Sequence, residues 1–133
     1  MSIEQAVHEI ITDASIPDAV ALLALLPADR IVTGTNHDRD LPYASVSLES
    51  NVANHRSSDG QSRRLVVRFQ VWHDNHAQGS AIQSAIEKLF ENKDFQTTTE
   101  DLICTRHENS LAIQEEDGTW QFLVDLDIRA NIT

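Results

Sequence analysis

The ten residues RRLVVRFQVW, positions 63–72, carry the most regular pattern in the chain. Apolar side chains recur at every second position from Leu65 to Val71. Arg64, Arg68 and Trp72 belong to the other set of alternating positions. Successive side chains of a β-strand point to opposite faces, so this alternation has the period of a strand. The stretch therefore predicts a strand with one apolar face and one face that carries arginine and tryptophan.

Strands are also predicted on both sides of this stretch. Pro42 opens an alternating segment that runs to Glu49, and Ile31-Val32 predicts a minimal strand before it. A terminal hairpin is predicted from Leu102 to Arg129, with a two-residue turn centred on Asp117-Gly118. The polar stretches Gly34 to Leu41 and Asn51 to Gln61 show no such alternation, and we expect loops there.

Helical periodicity appears in three segments. An apolar stripe runs from Ile3 to Ala14, and a second helix from Val20 to Leu26 is apolar nearly all round, so we expect it to be buried on more than one side. The third helix, capped by Asp74 or Asn75, carries an apolar stripe as far as Phe90.

The order of elements is ααβββαββ. It predicts an α+β fold, with an antiparallel or mixed sheet of four to five strands and helices packed on one face. The length of 133 residues fits a single domain, 1–133.

Charge is strongly negative overall and unevenly distributed. The chain has 10 Lys and Arg against 21 Asp and Glu, a net charge of -11, so we expect no sequence-specific nucleic acid as a partner. Yet Val52 to His73 holds four arginines and one acid, whereas the segment from Glu91 onward holds ten acids and three bases. Such asymmetry suits self-association between unlike faces, although ordinary solvated charge explains it as well.

Other classes of protein leave no clear signature. No apolar run approaches the roughly 20 residues that span a bilayer, so no membrane partner is expected. The single cysteine, Cys104, excludes an internal disulfide and suits a reducing compartment.

The strongest metal-like cluster is His73-Asp74-Asn75-His76. Imidazoles and carboxylates are competent ligands, so a small metal-dependent hydrolase that uses His73, Asp74 and His76 is one alternative. The cluster falls where a strand ends and a helix begins, however, and Asp and Asn are ordinary caps there. Because no nucleophile motif and no phosphate-binding glycine loop occur either, we expect no catalytic residue, no metal and no cofactor.

A partner surface is one explanation of the polar face of the strand that ends at Trp72. Trp72 shares that face with Arg64 and Arg68, and tryptophan and arginine are enriched where subunits meet. Cover by a neighbouring strand or by the following helix would explain Trp72 equally well.

The sequence resembles the small tail-completion, or tail-terminator, proteins of long-tailed bacteriophages and prophages over nearly its whole length. Shared features are a Leu-rich helical segment followed by Arg30-Ile31-Val32, the strand entry Leu41-Pro42-Tyr43, Val71-Trp72 before a helix, and a terminal hairpin. The break at residues 15–18 departs from the family pattern.

The resemblance implies a structural virion protein and no enzyme. Such proteins form a ring, usually a hexamer, on the end of the tail tube, stop its growth and provide the head-joining surface. The implied partners are the protein itself, the tail tube protein and a head-connector protein, in the virion tail and in the host cytoplasm during assembly. A cytosolic adaptor domain with the same frame remains an alternative.

Candidate contact residues follow from the resemblance together with the charge pattern. Exposed loops flanking a rigid sheet are natural contact sites. We expect self-association or partner contacts at these residues: His37, Asp38, Arg39, Arg56, Arg63, Arg64, Arg68 and Trp72.

Overall fold

A computed structural model describes residues 3–33, 41–57, 60–95 and 102–132 of the chain. Three α-helices and six strands occupy these residues, and a single turn of 3-10 helix, Ala28–Arg30, precedes the first strand. In chain order they are α1 (Ile3–Ile11), α2 (Pro17–Leu25), β1 (Ile31–Thr33), β2 (Tyr43–Ser57), β3 (Gly60–His73), α3 (His76–Phe90), β4 (Lys93–Phe95), β5 (Leu102–Gln114) and β6 (Trp120–Ile132).

The strands form one mixed sheet in the order β1-β2-β3-β6-β5-β4. β1 runs parallel to β2, and every other neighbouring pair is antiparallel. The predicted α+β class is confirmed, but four to five strands is wrong. The additional strand is β4, Lys93–Phe95, which pairs with Ile103–Thr105. Three residues are too few to display a period, so this strand was not predictable from local pattern.

The predicted loop from Asn51 to Gln61 is largely strand. β2 continues to Ser57, β3 begins at Gly60, and these two residues are partners in the antiparallel register. Side chains in this part of β2 are polar at most positions, so apolar alternation is absent. Backbone hydrogen bonds form the ladder without it. The other predicted loop, residues 34–40, lies outside the described residues.

The β5–β6 turn also differs from the prediction. The backbone N–H of Gly118 donates to the Glu115 carbonyl at 3.0 Å, which places Glu116 and Asp117 at the centre of the turn. Gly118 follows with φ of +91°, a left-handed conformation that glycine adopts without strain. The Asp-Gly pair therefore belongs to a three-residue loop closed by a glycine bulge, and the two-residue turn is wrong.

All three helices contribute to one core on one face of the sheet. The helix α3 begins as predicted, because Asn75 Oδ1 accepts a hydrogen bond from the backbone N–H of Gln78 at 3.0 Å. It lies close to the sheet at Gly79, where a Cβ atom would overlap the ring of Phe122. The largest fully buried side chains are Phe69, Phe90, Phe122, Ile11, Leu22, Leu26, Leu65, Ile82, Ile86, Leu89 and Leu126.

The second helix is less buried than its sequence predicts. α2 buries Ala19 and Leu22, whereas Val20 is 50% exposed and Leu25 is 48% exposed. Burial on more than one side is therefore wrong within this chain, because α2 contacts α1 and α3 while its outward side remains exposed. Among the described residues, no helix is long and apolar enough to cross a membrane.

Candidate functional site

The face of the sheet opposite the helices, called here the open face, carries three of the residues predicted from the sequence. Strand register places Arg64, Arg68 and Trp72 together on this face of β3. Their neighbours across the sheet come from β2, β6 and β5. Alternation along one strand thus predicted correctly which side chains share a face.

The side chains of the other predicted contact residues lie outside the part of the chain that the structure describes. His37, Asp38 and Arg39 lie outside the described residues. Arg56 belongs to β2 and Arg63 to β3, but their side chains also lie outside the described part. Contacts of these five residues with partners stay a prediction.

Arg68 forms a two-pronged ion pair with Asp125, its directly opposed partner on β6. Arg68 Nε donates to Asp125 Oδ1 at 2.7 Å and Nη2 donates to Oδ2 at 3.2 Å. The hydrogen bond to Asp125 raises the pKa of the Arg68 guanidinium above its ordinary value, so the cation is held charged. Parallel N–H···O bonds of this kind fix both side chains in one geometry.

Asp127 lies at the centre of a second ion-pair cluster. Its side chain is 2% exposed, and it accepts from Arg64 Nε at 3.2 Å and from Arg106 Nη2 at 3.0 Å. Arg64 also approaches Glu108 at 3.5 Å. A carboxylate buried to this extent requires such compensation, because loss of water around a charge is costly. Arg64 and Arg68 therefore have partners within their own chain, and their predicted role between subunits stays a prediction.

Trp72 packs against a neighbouring strand. Its ring stacks on Tyr43 of β2 with centroids 4.8 Å apart and an angle of 18° between the planes. Tyr43 is buried at 3% exposure, while Trp72 is half-buried. This geometry agrees with the alternative in which a neighbouring strand covers Trp72. A role for Trp72 as an anchor between subunits stays a prediction.

A segment that sequence reasoning missed lies at the edge of the same face. β4 covers β5 only at Ile103–Thr105, so within the described residues the outer edge of Ser110–Gln114 has no strand partner. This segment, called here the edge segment, contains no charge, and its Leu111 and Ile113 are 51% and 41% exposed. Its uncharged sequence, SLAIQ, was the available signal. An open apolar edge is a template for pairing or docking.

The metal-like cluster does not assemble as a site. His73 is buried, and its Nδ1 accepts a hydrogen bond from the backbone N–H of Asn75 at 3.0 Å. The His76 ring instead forms a T-shaped contact with Trp120, with centroids 4.5 Å apart. Within the described ranges, no three His, Cys, Asp or Glu side chains are placed to hold a metal ion. These histidines serve packing and the start of α3.

One serine–histidine contact occurs on the helix-covered face. Ser110 Oγ donates to Glu87 Oε1 at 2.8 Å and lies 2.7 Å from His107 Nε2. With the serine proton directed at Glu87, the imidazole nitrogen must donate to Ser110. A base that activates a nucleophile has to accept that proton, so this arrangement links β5 to α3 and does not generate a nucleophile.

Comparisons with known proteins agree with the fold. A family model described as Tail completion protein gp17 matches residues 11–131. A chain from the solved virion of a native gene transfer agent particle is similar with a TM-score of 0.68 and 19% identity, over 98% of this chain and 93% of that one. A second solved chain, which carries no functional description, gives a TM-score of 0.61 and 13% identity, with 100% and 97% covered.

No curated protein gives a significant match. Since the family match spans most of the chain, family membership does not depend on the weaker structural similarities. The chain belongs to the Tail completion protein gp17 family, a family of structural proteins of phage tails.

Proposed function

We propose that this protein, as one domain over residues 1–133, forms a hexameric ring on the end of a tail tube, stops the growth of that tube and offers a docking surface to the head connector. It acts without catalysis, and it is assembled in the host cytoplasm into the virion tail. Family membership and the fold shared with a chain of a gene transfer agent virion support this proposal.

The observation that carries the proposal is the exposure of apolar side chains in two separate places. One is the outward face of α2, where Val20 and Leu25 are about half exposed. The other is the edge segment, where Leu111 and Ile113 face solvent on the open face. Exposed apolar groups that cluster in this way mark sites of protein contact more often than chance exposure does.

The two patches differ in structure, which bears on the kind of assembly. One is a helix surface and the other is a strand edge on the opposite face of the sheet. A contact between unlike patches is heterologous, and such contacts generate rings when the rotation between subunits closes. A symmetric dimer would instead need one patch that complements itself.

Growth of tail tubes in the presence of the purified protein tests the proposal. Tail tube protein from the same phage or prophage is allowed to polymerise with and without this protein, and tube lengths are measured by negative-stain electron microscopy. We expect short tubes with added density at one end and no further elongation after fresh tube protein is supplied.

The matched control is Asp29→Lys, a charge change at an exposed position of the 3-10 turn that belongs to neither apolar patch. This variant is expected to arrest growth as the wild type does. Tubes that elongate unchanged, beside a protein that stays monomeric in light scattering with and without tubes, would contradict the proposed function.

A further inference from the structure

A cationic pocket lies where β4, β5 and β6 meet. Its lining residues are Asn92, Lys93, Asp94, Thr105, Arg106, Asp127 and Arg129, and it encloses about 330 Å³. This surface is called here the basic pocket. It adjoins the ion-pair cluster of the open face, because Arg106 and Asp127 belong to both.

The basic pocket has an excess of positive charge, although the net charge of the chain is -11. Arg106 shares the single carboxylate of Asp127 with Arg64. Lys93 and Arg129 are exposed, and neither forms an ion pair with any residue in the described part of the chain. The exposed carboxylate of Asp94 lines the same recess, but Lys93, Arg129 and the half-neutralised Arg106 together outweigh it. The recess therefore keeps a net positive charge that an acidic group would fit.

The opposite end of the same two strands is acidic. Glu115, Glu116 and Asp117 form the β5–β6 turn, called here the acidic turn, and all three are exposed. Asp117 Oδ1 accepts from the backbone N–H of Thr119 at 3.0 Å, which orders the turn. Within the described residues none of the three carboxylates forms an ion pair.

We propose that the acidic turn of one copy of this chain occupies the basic pocket of the next copy. The proposal rests on the proposed ring, for which it names the contact. Charge complementarity selects the occupant, since the chain itself supplies an ordered, exposed and unpaired acidic segment that matches the pocket. Glu116, at the tip of the turn, is the side chain directed at Arg129 in this contact.

The positions of the two surfaces favour a closed assembly. From Trp120 to Arg129, at about 3.4 Å per residue, the strand β6 separates the acidic turn from the basic pocket by about 30 Å. One copy therefore cannot fill its own pocket, and an open head-to-tail chain leaves one turn and one pocket unmatched. A closed ring fills every pocket, as an antiparallel two-fold pair would, so charge pairing stabilises closed assemblies over an open chain.

The test uses two single charge reversals, Glu116→Lys in the turn and Arg129→Glu in the pocket. Each variant alone brings like charges together, and we expect the concentration for half-maximal self-association to rise about tenfold in low salt. Mixed in equal amounts, the two variants restore opposite charges at every contact, so association returns to within about threefold of wild type. Asp29→Lys, which changes net charge by as much as Glu116→Lys, is expected to associate like wild type.

Sedimentation velocity measures the self-association of wild type, of each variant and of the equal mixture. Tail tubes are added if the free protein is monomeric. Unchanged association of either single variant, or no recovery in the mixture, overturns the contact. If such variants still arrest tube growth, the proposed function survives that result. A wild type that neither associates nor caps tubes overturns both. Duplex DNA that binds wild type but not Arg129→Glu, with association unchanged, would assign the pocket to phosphate and overturn the contact.

Discussion

The two faces of the sheet are made by the same strands, yet their side chains hold the protein together in different ways. On the helix-covered face, Phe69 and Phe122 are fully buried among aliphatic side chains of all three helices. On the open face, Arg68 and Asp125 pair across strands, and Leu111 remains half exposed at the edge.

The difference separates the requirements of folding from those of assembly. Burial of apolar surface on one face supplies most of the free energy of folding. Side chains on the open face contribute less to it, so they are available for contacts with other chains at little cost to the fold. Variants on the two faces should therefore affect different measurements.

The largest expected effect on stability comes from the helix-covered face. Phe69→Ala removes a ring that packs against Phe90, with ring centroids 5.7 Å apart. The substitution should lower the free energy of unfolding by about 3–5 kcal/mol. Ile113→Ala at the exposed edge should change it by less than about 0.5 kcal/mol. Urea denaturation of both variants measures the comparison, and losses of similar size would contradict it.

The ion-pair cluster should give an intermediate effect. Asp127→Asn leaves Arg64 and Arg106 close together without the carboxylate that both bind, and we expect a loss of about 2 kcal/mol. Asp94→Asn is the matched control, because Asp94 is exposed and lines the same pocket. Urea denaturation that shows equal stability for the two variants would mean that the buried carboxylate contributes nothing to the fold.

Close packing of α3 on the sheet predicts a smaller loss. Gly79→Ala places a methyl group against the Phe122 ring, an overpacking that costs about 1–3 kcal/mol. The helix itself gains up to about 1 kcal/mol from the loss of glycine flexibility. The net expectation is a loss of about 1 kcal/mol in thermal or urea unfolding, against no loss for Ser84→Ala on the exposed side of α3. A more stable Gly79→Ala protein would refute the close approach.

The edge segment should respond in the opposite sense. The double variant Leu111→Thr, Ile113→Thr places β-branched side chains, which suit a strand, at both positions, so stability should change by less than about 0.5 kcal/mol. Self-association should weaken at least about tenfold, because exposed apolar surface is removed from the contact. Sedimentation velocity at matched concentrations is the measurement. Unimpaired association would exclude the edge segment from the interface.

The smallest effect concerns the acidic turn and pH. The backbone N–H of Thr119 hydrogen-bonds the Asp117 carboxylate and lowers the pKa of Asp117 below its ordinary 3.8. Because the pKa is lower in the folded chain, the ionised form stabilises the turn at pH values above 3.8, and this stabilisation is lost as pH falls further. An NMR titration of Asp117 and of the Gly118 amide would show this. A midpoint at or above 3.8 would contradict it.

Local patterns predicted the elements that are long and regular. The alternation in β3 and the Asn75 cap of α3 were sufficient for their placement. β4 was not predictable because Lys93–Phe95 is held by pairing with β5 and by no pattern of its own. The end of β2 was missed for a related reason, since pairing of polar strands leaves no hydrophobic period.

The candidate site shows the same division. Sequence alternation placed Arg64, Arg68 and Trp72 on one face, because that requires only the period of one strand. It could not identify Asp125 and Asp127 as partners, because that depends on the register between strands distant in sequence. The exposure of α2 depends on which helices cover it, which no local pattern records.

Hydrogen exchange of the protein, free and bound to tail tubes, tests whether the edge segment and the acidic turn assemble the protein while the covered face of the sheet folds it. We expect new protection in the assembled state for backbone amides from Ser110 to Asp117, with unchanged and already slow exchange from Phe122 to Ile128 at the centre of the sheet. Unaltered exchange at the edge segment and acidic turn in a tube-bound protein would contradict it.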